Sequence, residues 1–477
     1  MQGNDLIDVC YLLTAVTFML ALKLMNGPKT ARQGNLLAAA GMALALVASF
    51  ALKVDGRPIV QDGAGALKSI NLMLIFVAFV VGTALGWLSA RRVQMTAMPQ
   101  MVALFNGLGG GAVALVALLE FREMSVHATT DVVASTTSVL SLVIGSISFS
   151  GSLIAFAKLQ ELMTGRPVTY PGQKVVNFLF FMTAVVMMVV LIGSPHSLPL
   201  YLALFGVSLL LGVIFVLPIG GADMPVVISL LNSFTGCAAG LAGFVLGNTA
   251  LLIGGGLVGA SGLILTLQMC KAMNRPLSNV IFGAFGSVDA TALASSEAHQ
   301  GTVRSYSVED AAIIFSSASS VIIVPGYGMA VAQAQHVVKE LATKLTEQGI
   351  DVKYAIHPVA GRMPGHMNVL LAEADVPYDQ LFDLDDINSM FSETDVALVI
   401  GANDVVNPAA RYDKASPIYG MPILDVDKAR TVIVCKRGMS PGFAGIENEL
   451  FLLPNTIMVF GNAKTTIAKL SSAIDAL

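Results

Sequence analysis

The chain of 477 residues is 55% hydrophobic and 12% charged, with a mean hydropathy of +0.75. A soluble domain carries about 25% charged residues, so this composition excludes a wholly water-dissolved protein and places part of the chain in lipid. The net charge of −4 offers no basic face for nucleic acid. Cys10, Cys237, Cys270 and Cys435 lie far apart, with no Cys-x-x-Cys and no histidine at metal spacing, and support neither a disulfide framework nor a metal site.

The N-terminus does not read as a cleavable signal. Asp5 and Asp8 stand where such a signal is positive, and the apolar run after them is near full membrane length. Charge-poor apolar runs follow at about 6–25, 35–52, 70–90, 99–119, 134–160, 176–192, 199–217, 225–246 and 249–273; most approach the ~20 residues that span a bilayer. The sequence thus predicts an α-helical, multi-pass membrane domain of about nine helices over 1–275.

With the N-terminus outside, the inner connections hold Lys23, Lys29, Arg32, Arg91, Arg92, Arg166, Lys174, Lys271 and Arg275, and Lys158 ends the fifth run. The outer connections hold Lys53, Arg57, Lys68 and Arg122. That asymmetry follows the positive-inside rule, and the odd number of spans leaves the C-terminal part in the cytoplasm.

Polar residues inside the spans are functional candidates. Asn106 lies seven residues into the fourth run and Asn232 seven into the eighth, each about 10 Å deep at 1.5 Å per residue. Ser152, eight residues before the end of the fifth run, falls in the same layer. The fifth run also repeats Ser146/Ser150 and Ser148/Ser152 at i, i+4, two stripes that suit interhelical packing as well as a proton path. Asp223, just before Pro225, suits a helix N-cap. Glu120, Arg122, Glu123 and His127 read as a solvated outer loop rather than a proton inlet.

Residues 276–306 are rich in Ser, Ala and Gly and read as a linker. Ser307-Val308-Glu309-Asp310 resembles a capping box and opens a domain over 307–477. Its short β-rich runs at 320–324, 351–356, 379–384, 396–400, 431–435 and 456–460 alternate with helical segments, as in a soluble α/β, Rossmann-like, doubly wound parallel sheet. The first strand leads into Val-Pro-Gly-Tyr-Gly-Met-Ala-Val at 324–331. There Gly326 permits a tight turn, Gly328 admits phosphates to the backbone, and a helix from Ala330 aims its N-terminus at them. Val331 replaces the third glycine of the fingerprint. Pro-Gly-Tyr-Gly also resembles a potassium filter, but it lies outside the membrane runs.

The second strand ends Ala355-Ile356-His357-Pro358-Val359-Ala360-Gly361-Arg362, without the acid that holds the ribose of NAD. Its absence favours NADP. Cys435-Lys436-Arg437-Gly438 ends a later strand with adjacent cations, which suit either a phosphate or a solvated surface.

Longer segments carry a resemblance: Gly-Gly-Ala-Asp-Met-Pro at 220–225, Cys-Lys-Ala-Met-Asn-Arg at 270–275, Pro-Gly-Tyr-Gly-Met-Ala-Val-Ala-Gln-Ala-Gln at 325–335, His-Pro-Val-Ala-Gly-Arg at 357–362, Pro-Gly-His-Met-Asn-Val-Leu-Leu-Ala-Glu-Ala at 364–374 and Gly-Ala-Asn-Asp at 401–404. Essentially the whole chain resembles the β-subunit family of the proton-translocating NAD(P) transhydrogenases.

The resemblance implies that the C-terminal domain binds NADP(H), reversed relative to ordinary Rossmann proteins. NAD(H) then sits on a partner α-subunit, as part of a dimer of αβ units in the bacterial inner membrane. It implies that Lys436 and Arg437 hold the 2′-phosphate, with Gly438 beside them, and that Gly326, Tyr327, Gly328, Ala330 and Val331 form the fingerprint. His357, Val359, Ala360, Gly361 and Arg362 line the pyrophosphate loop. Gly401, Asn403 and Asp404 also bind the cofactor, with Asp404 in a loop that couples nucleotide state to the membrane, and Asp413–Met421 form a lid. The resemblance also places Asp223 in an acidic loop that faces the nucleotide domain, a coupling role beside that of N-cap. No side chain is catalytic by its own chemistry. Gly438 stands where the family commonly has Ser, Phe443 where Tyr is common, and Asn106 where well-known members carry His. Asn takes no proton at neutral pH, so the carrier is water, another group or the partner subunit.

The alternative reading is a transporter or channel with a C-terminal NADP-sensing domain, which predicts a substrate site on broken helices at the midplane. A membrane electron carrier is disfavoured by the lack of paired intrahelical histidines for haem.

Overall fold

The computed structural model describes residues 5–27, 29–51, 53–54, 57–58, 69–127, 132–164, 167–193, 197–282, 302–414, 416, 418–442 and 444–477. Lys68, Arg166, Phe443 and most of the 276–306 segment lie outside the described residues. Nine of the described helices are long and apolar enough to cross a membrane. They are α1 (Asp5–Met25), α2 (Ala31–Phe50), α3 (Ser69–Arg92), α4 (Met98–His127), α5 (Val132–Leu159), α6 (Gln173–Gly193), α7 (Leu198–Val216), α8 (Met224–Val245) and α9 (Thr249–Ala272).

The boundary of α4 departs from the sequence reading. The helix runs on to His127, so Glu120, Arg122 and Glu123 ride its last turns instead of a loop. Residues of good helix propensity such as Leu119, Glu120, Arg122 and Met124 extend a helix beyond its apolar stretch. A short helix, α10 (Leu277–Phe282), likewise occupies the start of the expected linker.

The membrane helices differ sharply in burial. α5 and α8 are the most enclosed, whereas α3 has no buried residue. Small residues let α5 sit close to its neighbours: a Cβ on Gly110 of α4 would come within 2.9 Å of the Gly145 carbonyl, and one on Gly145 within 2.8 Å of the Gly110 carbonyl. Such backbone approach is the usual way helices associate where lipid is as apolar as leucine.

The C-terminal part is built on six parallel strands: β1 (Ser320–Pro325), β2 (Asp351–Ile356), β3 (Leu381–Asp383), β4 (Val396–Ile400), β5 (Thr431–Lys436) and β6 (Thr456–Phe460). Their order across the sheet is β3-β2-β1-β4-β5-β6, every neighbouring pair parallel. The strands are apolar runs because both faces are covered. Val321 and Ile323 face a layer of α11 (Val308–Ser316), α12 (Tyr327–Val331), α13 (Gln335–Glu347), α14 (His366–Glu373) and α15 (Ala463–Asp475). Ile322 and Val324 face the opposite side, closed by Ile387, Phe391, Val405, Leu424 and Phe451. The expected capping box is present: Ser307 Oγ accepts from Asp310 N, and Asp310 Oδ2 accepts from Ser307 N.

Candidate functional site

The strand order reverses between β1 and β4, and in open α/β sheets ligands bind outside the carboxyl ends of the strands at that switch point. The candidate cofactor residues gather there. Gly326, Tyr327, Gly328, Ala330 and Val331 follow β1; His357, Val359, Ala360, Gly361 and Arg362 follow β2. Gly401, Asn403 and Asp404 follow β4, and Lys436, Arg437 and Gly438 close β5.

The fingerprint glycines work differently from the sequence reading. The helix starts at Tyr327, not Ala330, and Gly326 has an ordinary extended φ of −130°. What requires glycine is backbone proximity. Gly326 N donates to Ile400 O and Gly328 N to Gly401 O, each at 2.9 Å. A Cβ on Gly328 would lie 2.7 Å from the Gly401 Cα, and one on Gly326 would strike Ala402. Gly401 itself holds φ +66°. The first two glycines therefore lock the β1 and β4 ends together.

At the end of β2, His357 Nδ1 accepts from Val359 N (3.2 Å), which leaves Nε2 to donate to Pro422 O (2.7 Å). Burial lowers its pKa to about 4, against the bond to Pro422, so the ring is neutral. His366 Nδ1 accepts from Arg362 N (3.0 Å), and burial together with the Arg362 charge lowers its pKa to about 4.

Across the switch point, Asn403 Oδ1 accepts from Asn448 Nδ2 (3.0 Å), while its own Nδ2 is buried with no hydrogen-bond partner among the described residues. Asp404 Oδ2 accepts from Ala444 N (3.0 Å). Lys436 donates to Ser440 O and lies 5.0 Å from the Phe451 ring centroid; burial lowers its pKa and nearby Asp404 raises it. Arg437 is exposed. An orphaned amide donor after β4, with a partly desolvated cation and an exposed guanidinium at the neighbouring β5 end, fits a phosphate-bearing dinucleotide.

In the membrane part, Asn106 Nδ2 donates to Ser152 Oγ (3.0 Å) and Ser148 Oγ (3.3 Å), and its Oδ1 is buried with no partner among the described residues. Ser148 in turn meets Thr235 Oγ1 (2.6 Å) and the Leu231 carbonyl (2.9 Å) of α8. Asn106 and Ser152 thus come together as expected. The α8 side chain hydrogen-bonded to this cluster is that of Thr235, and half-buried Asn232 lies one turn earlier on α8. Its i+3 spacing from Asn232 was the available signal. The two serine stripes divide: Ser146 and Ser150 bond to carbonyls of their own helix, Leu142 O and Ser146 O, while Ser148 and Ser152 face Asn106.

Asp223 occupies the N-cap position of α8 but makes no capping hydrogen bond. Its carboxylate instead takes Arg275 Nη1 at 2.9 and 3.2 Å. Burial pushes that carboxyl above its ordinary value, and Arg275 opposes the shift. Lys158 is buried and donates to Leu217 O and Ile219 O (2.7 Å) past the end of α7.

Sequence reasoning missed how the two parts touch. Arg362 Nη1 donates to Leu159 O at the end of α5, and Nη2 to Glu161 Oε1, both at 2.9 Å. The same guanidinium lies 4.6 Å from the Tyr327 ring centroid. Gly420, in the expected lid, adjoins the Asn274 amide just after α9.

A family profile described as NAD(P) transhydrogenase beta subunit matches residues 7–473. Two curated relatives, each named NAD(P) transhydrogenase subunit beta, come from Rhodospirillum rubrum and from a designated strain of that organism. Each is 49% identical over 477 residues, covering 99% of this chain and 100% of its own length. With a membrane-helix part and a parallel-sheet part matched from end to end, the chain belongs to the NAD(P) transhydrogenase beta subunit family.

Proposed function

We propose that this chain binds NADP(H) at the carboxyl edge of its sheet and, with an α-subunit that binds NAD(H), couples hydride transfer between the two cofactors to proton translocation. Residues 1–275 form the translocating domain, 276–306 the linker and 307–477 the nucleotide domain, in the bacterial inner membrane with the nucleotide domain in the cytoplasm. The observation that carries the reading is the group of donors at the carboxyl edge of the sheet: Lys436 and Arg437 at the end of β5, and after β4 the buried Asn403 amide that lacks a partner among the described residues.

NADP(H) held there supplies the hydride exchanged with NAD(H) on the partner. Lys436 and Arg437 bind its 2′-phosphate, where a charge-assisted hydrogen bond is roughly twice as strong as a neutral one. Arg362 and the loop from His357 to Gly361 hold the diphosphate, and neutral His357 pins that loop to Pro422, which directly follows the expected lid segment. In the membrane, Asn106, Ser148, Ser152 and Thr235 form the layer that carries water-borne protons, and Asp223, paired with Arg275 just past the end of α9, is the acid through which nucleotide state is coupled to it. A potential of 100 mV is worth about 2.3 kcal/mol per charge, so roughly 200 mV biases the hydride equilibrium about 2000-fold.

The test is co-reconstitution with the α-subunit in vesicles, following NADPH-dependent reduction of an NAD analogue beside acidification. Coupled exchange and acidification are expected. Exchange without proton movement removes the translocation half of the proposal, and no exchange at all favours a transporter with a nucleotide-sensing domain.

A further inference from the structure

We propose that Arg362 exchanges partners between the end of α5 and the diphosphate of a bound dinucleotide, and that Glu161 is the positioning residue that holds it on the membrane side. The inference rests on the reading of Arg362 as a cofactor-binding residue. Both terminal nitrogens of its guanidinium are committed to α5, one to the Leu159 carbonyl and one to the Glu161 carboxylate. A bidentate fork onto a diphosphate through Nη1 and Nη2 needs those same two nitrogens turned away from the membrane side. The two engagements therefore compete.

The geometry favours exchange over a permanent lock. The guanidinium lies against Tyr327, the first residue of the fingerprint helix, so the arginine already stands beside the proposed cofactor loop. Its side chain is 14% exposed, whereas that of Glu161 is 77% exposed. With its carboxylate partner so open to water, the ion pair is weak and breaks readily.

Glu161 is nonetheless placed with care. It adopts φ +61° as α5 closes, with its N–H on Lys158 O and the next N–H on Ala157 O, which fixes the direction in which its side chain leaves the helix. The left-handed conformation is uncommon for a residue other than glycine or asparagine. The other Arg362 acceptor, Leu159 O, is shared with Gln100 Nε2 (3.1 Å) of α4, the helix that also carries Asn106. When Arg362 leaves, that carbonyl returns to Gln100 alone. The exchange therefore alters a hydrogen bond between the two helices that hold the Asn106–Ser152 pair.

The experiment titrates NADPH onto the complete αβ complex and follows its fluorescence. Glu161→Gln removes the competing charge and should tighten NADPH binding about 2- to 5-fold, the range of an exposed ion pair, with Glu161→Asp restoring the wild-type value. In an Arg362→Gln background, itself weaker in NADPH binding, the effect of Glu161→Gln should vanish, because a double-mutant cycle isolates the pair. An unchanged dissociation constant in Glu161→Gln, or an equal effect in both backgrounds, overturns the exchange. Unchanged NADPH affinity in Arg362→Gln alone instead overturns the assignment of Arg362 to the cofactor, and the exchange falls with it.

Discussion

Lys436 is kept in surroundings that leave its charge short of water: burial lowers its pKa, and Asp404 restores part of what burial removes. A phosphate placed beside it supplies the missing counter-charge. Replacing Lys436 and Arg437 together by Ala is expected to weaken NADPH binding by about 3 kcal/mol or more, at about 1.5–3 kcal/mol per charged hydrogen bond. NADH binding should be nearly unaffected, and titration of both cofactors onto the nucleotide domain checks it. His357 gives a second expectation at this scale. Its folded pKa of about 4 lies below its unfolded value of about 6.5. The unfolded chain therefore binds the proton first as pH falls. The stabilisation is complete above pH ~6.5 and is lost progressively toward pH ~4, by up to about 3 kcal/mol. Denaturant midpoints of the nucleotide domain should fall across that window, and His357→Gln should flatten the part of the curve that His366 does not supply.

At the scale of elements, α5 separates two uses of the same residue type. Ser146 and Ser150 spend their hydroxyls on carbonyls of their own helix, whereas Ser148 and Ser152 reach Asn106 and α8. Sequence spacing placed both stripes on α5 but did not show which neighbour each faces. The spans, the six strands and the position of the candidate site residues at the strand ends were legible, because apolar length and β-rich composition are local properties. The contact of Arg362 with Leu159, 203 residues away, was not, because nothing local encodes it. The glycines were legible as positions but not in purpose, since Gly328 meets the Gly401 backbone. For the polar layer, Thr235→Val should impair acidification by reconstituted vesicles while leaving NADPH binding intact. Asn106→Leu should do the same, and Asn106→His should pump. A mere packing role forecasts only the ~0.6 kcal/mol of one interhelical hydrogen bond, so stable Thr235→Val and Asn106→Leu proteins that pump normally would eliminate the proton-path reading.

At the scale of the whole molecule, the described residues hold one parallel sheet with one switch point, and hence one place of this kind for a dinucleotide. Hydride transfer needs donor and acceptor carbons within about 3–3.5 Å, so two nicotinamide rings have to meet. A chain with a single site can load itself with NADP(H) but cannot present NAD(H) to it. The purified chain should therefore bind NADPH and fail to reduce an NAD analogue, however long the incubation. Adding the α-subunit should restore exchange in proportion to complex formed. The contact between Arg362 and the end of α5 adds a requirement of its own: in that arrangement one loop of the proposed site rests on the membrane helices. The partner's cofactor has to approach from another side or after that contact opens. Partner addition should then depend on intact membrane helices for coupling but not for exchange itself. The α-subunit mixed with residues 307–477 alone should transfer hydride without acidifying vesicles. Robust turnover by the β chain in the absence of any partner, at high purity, would contradict the single-site argument.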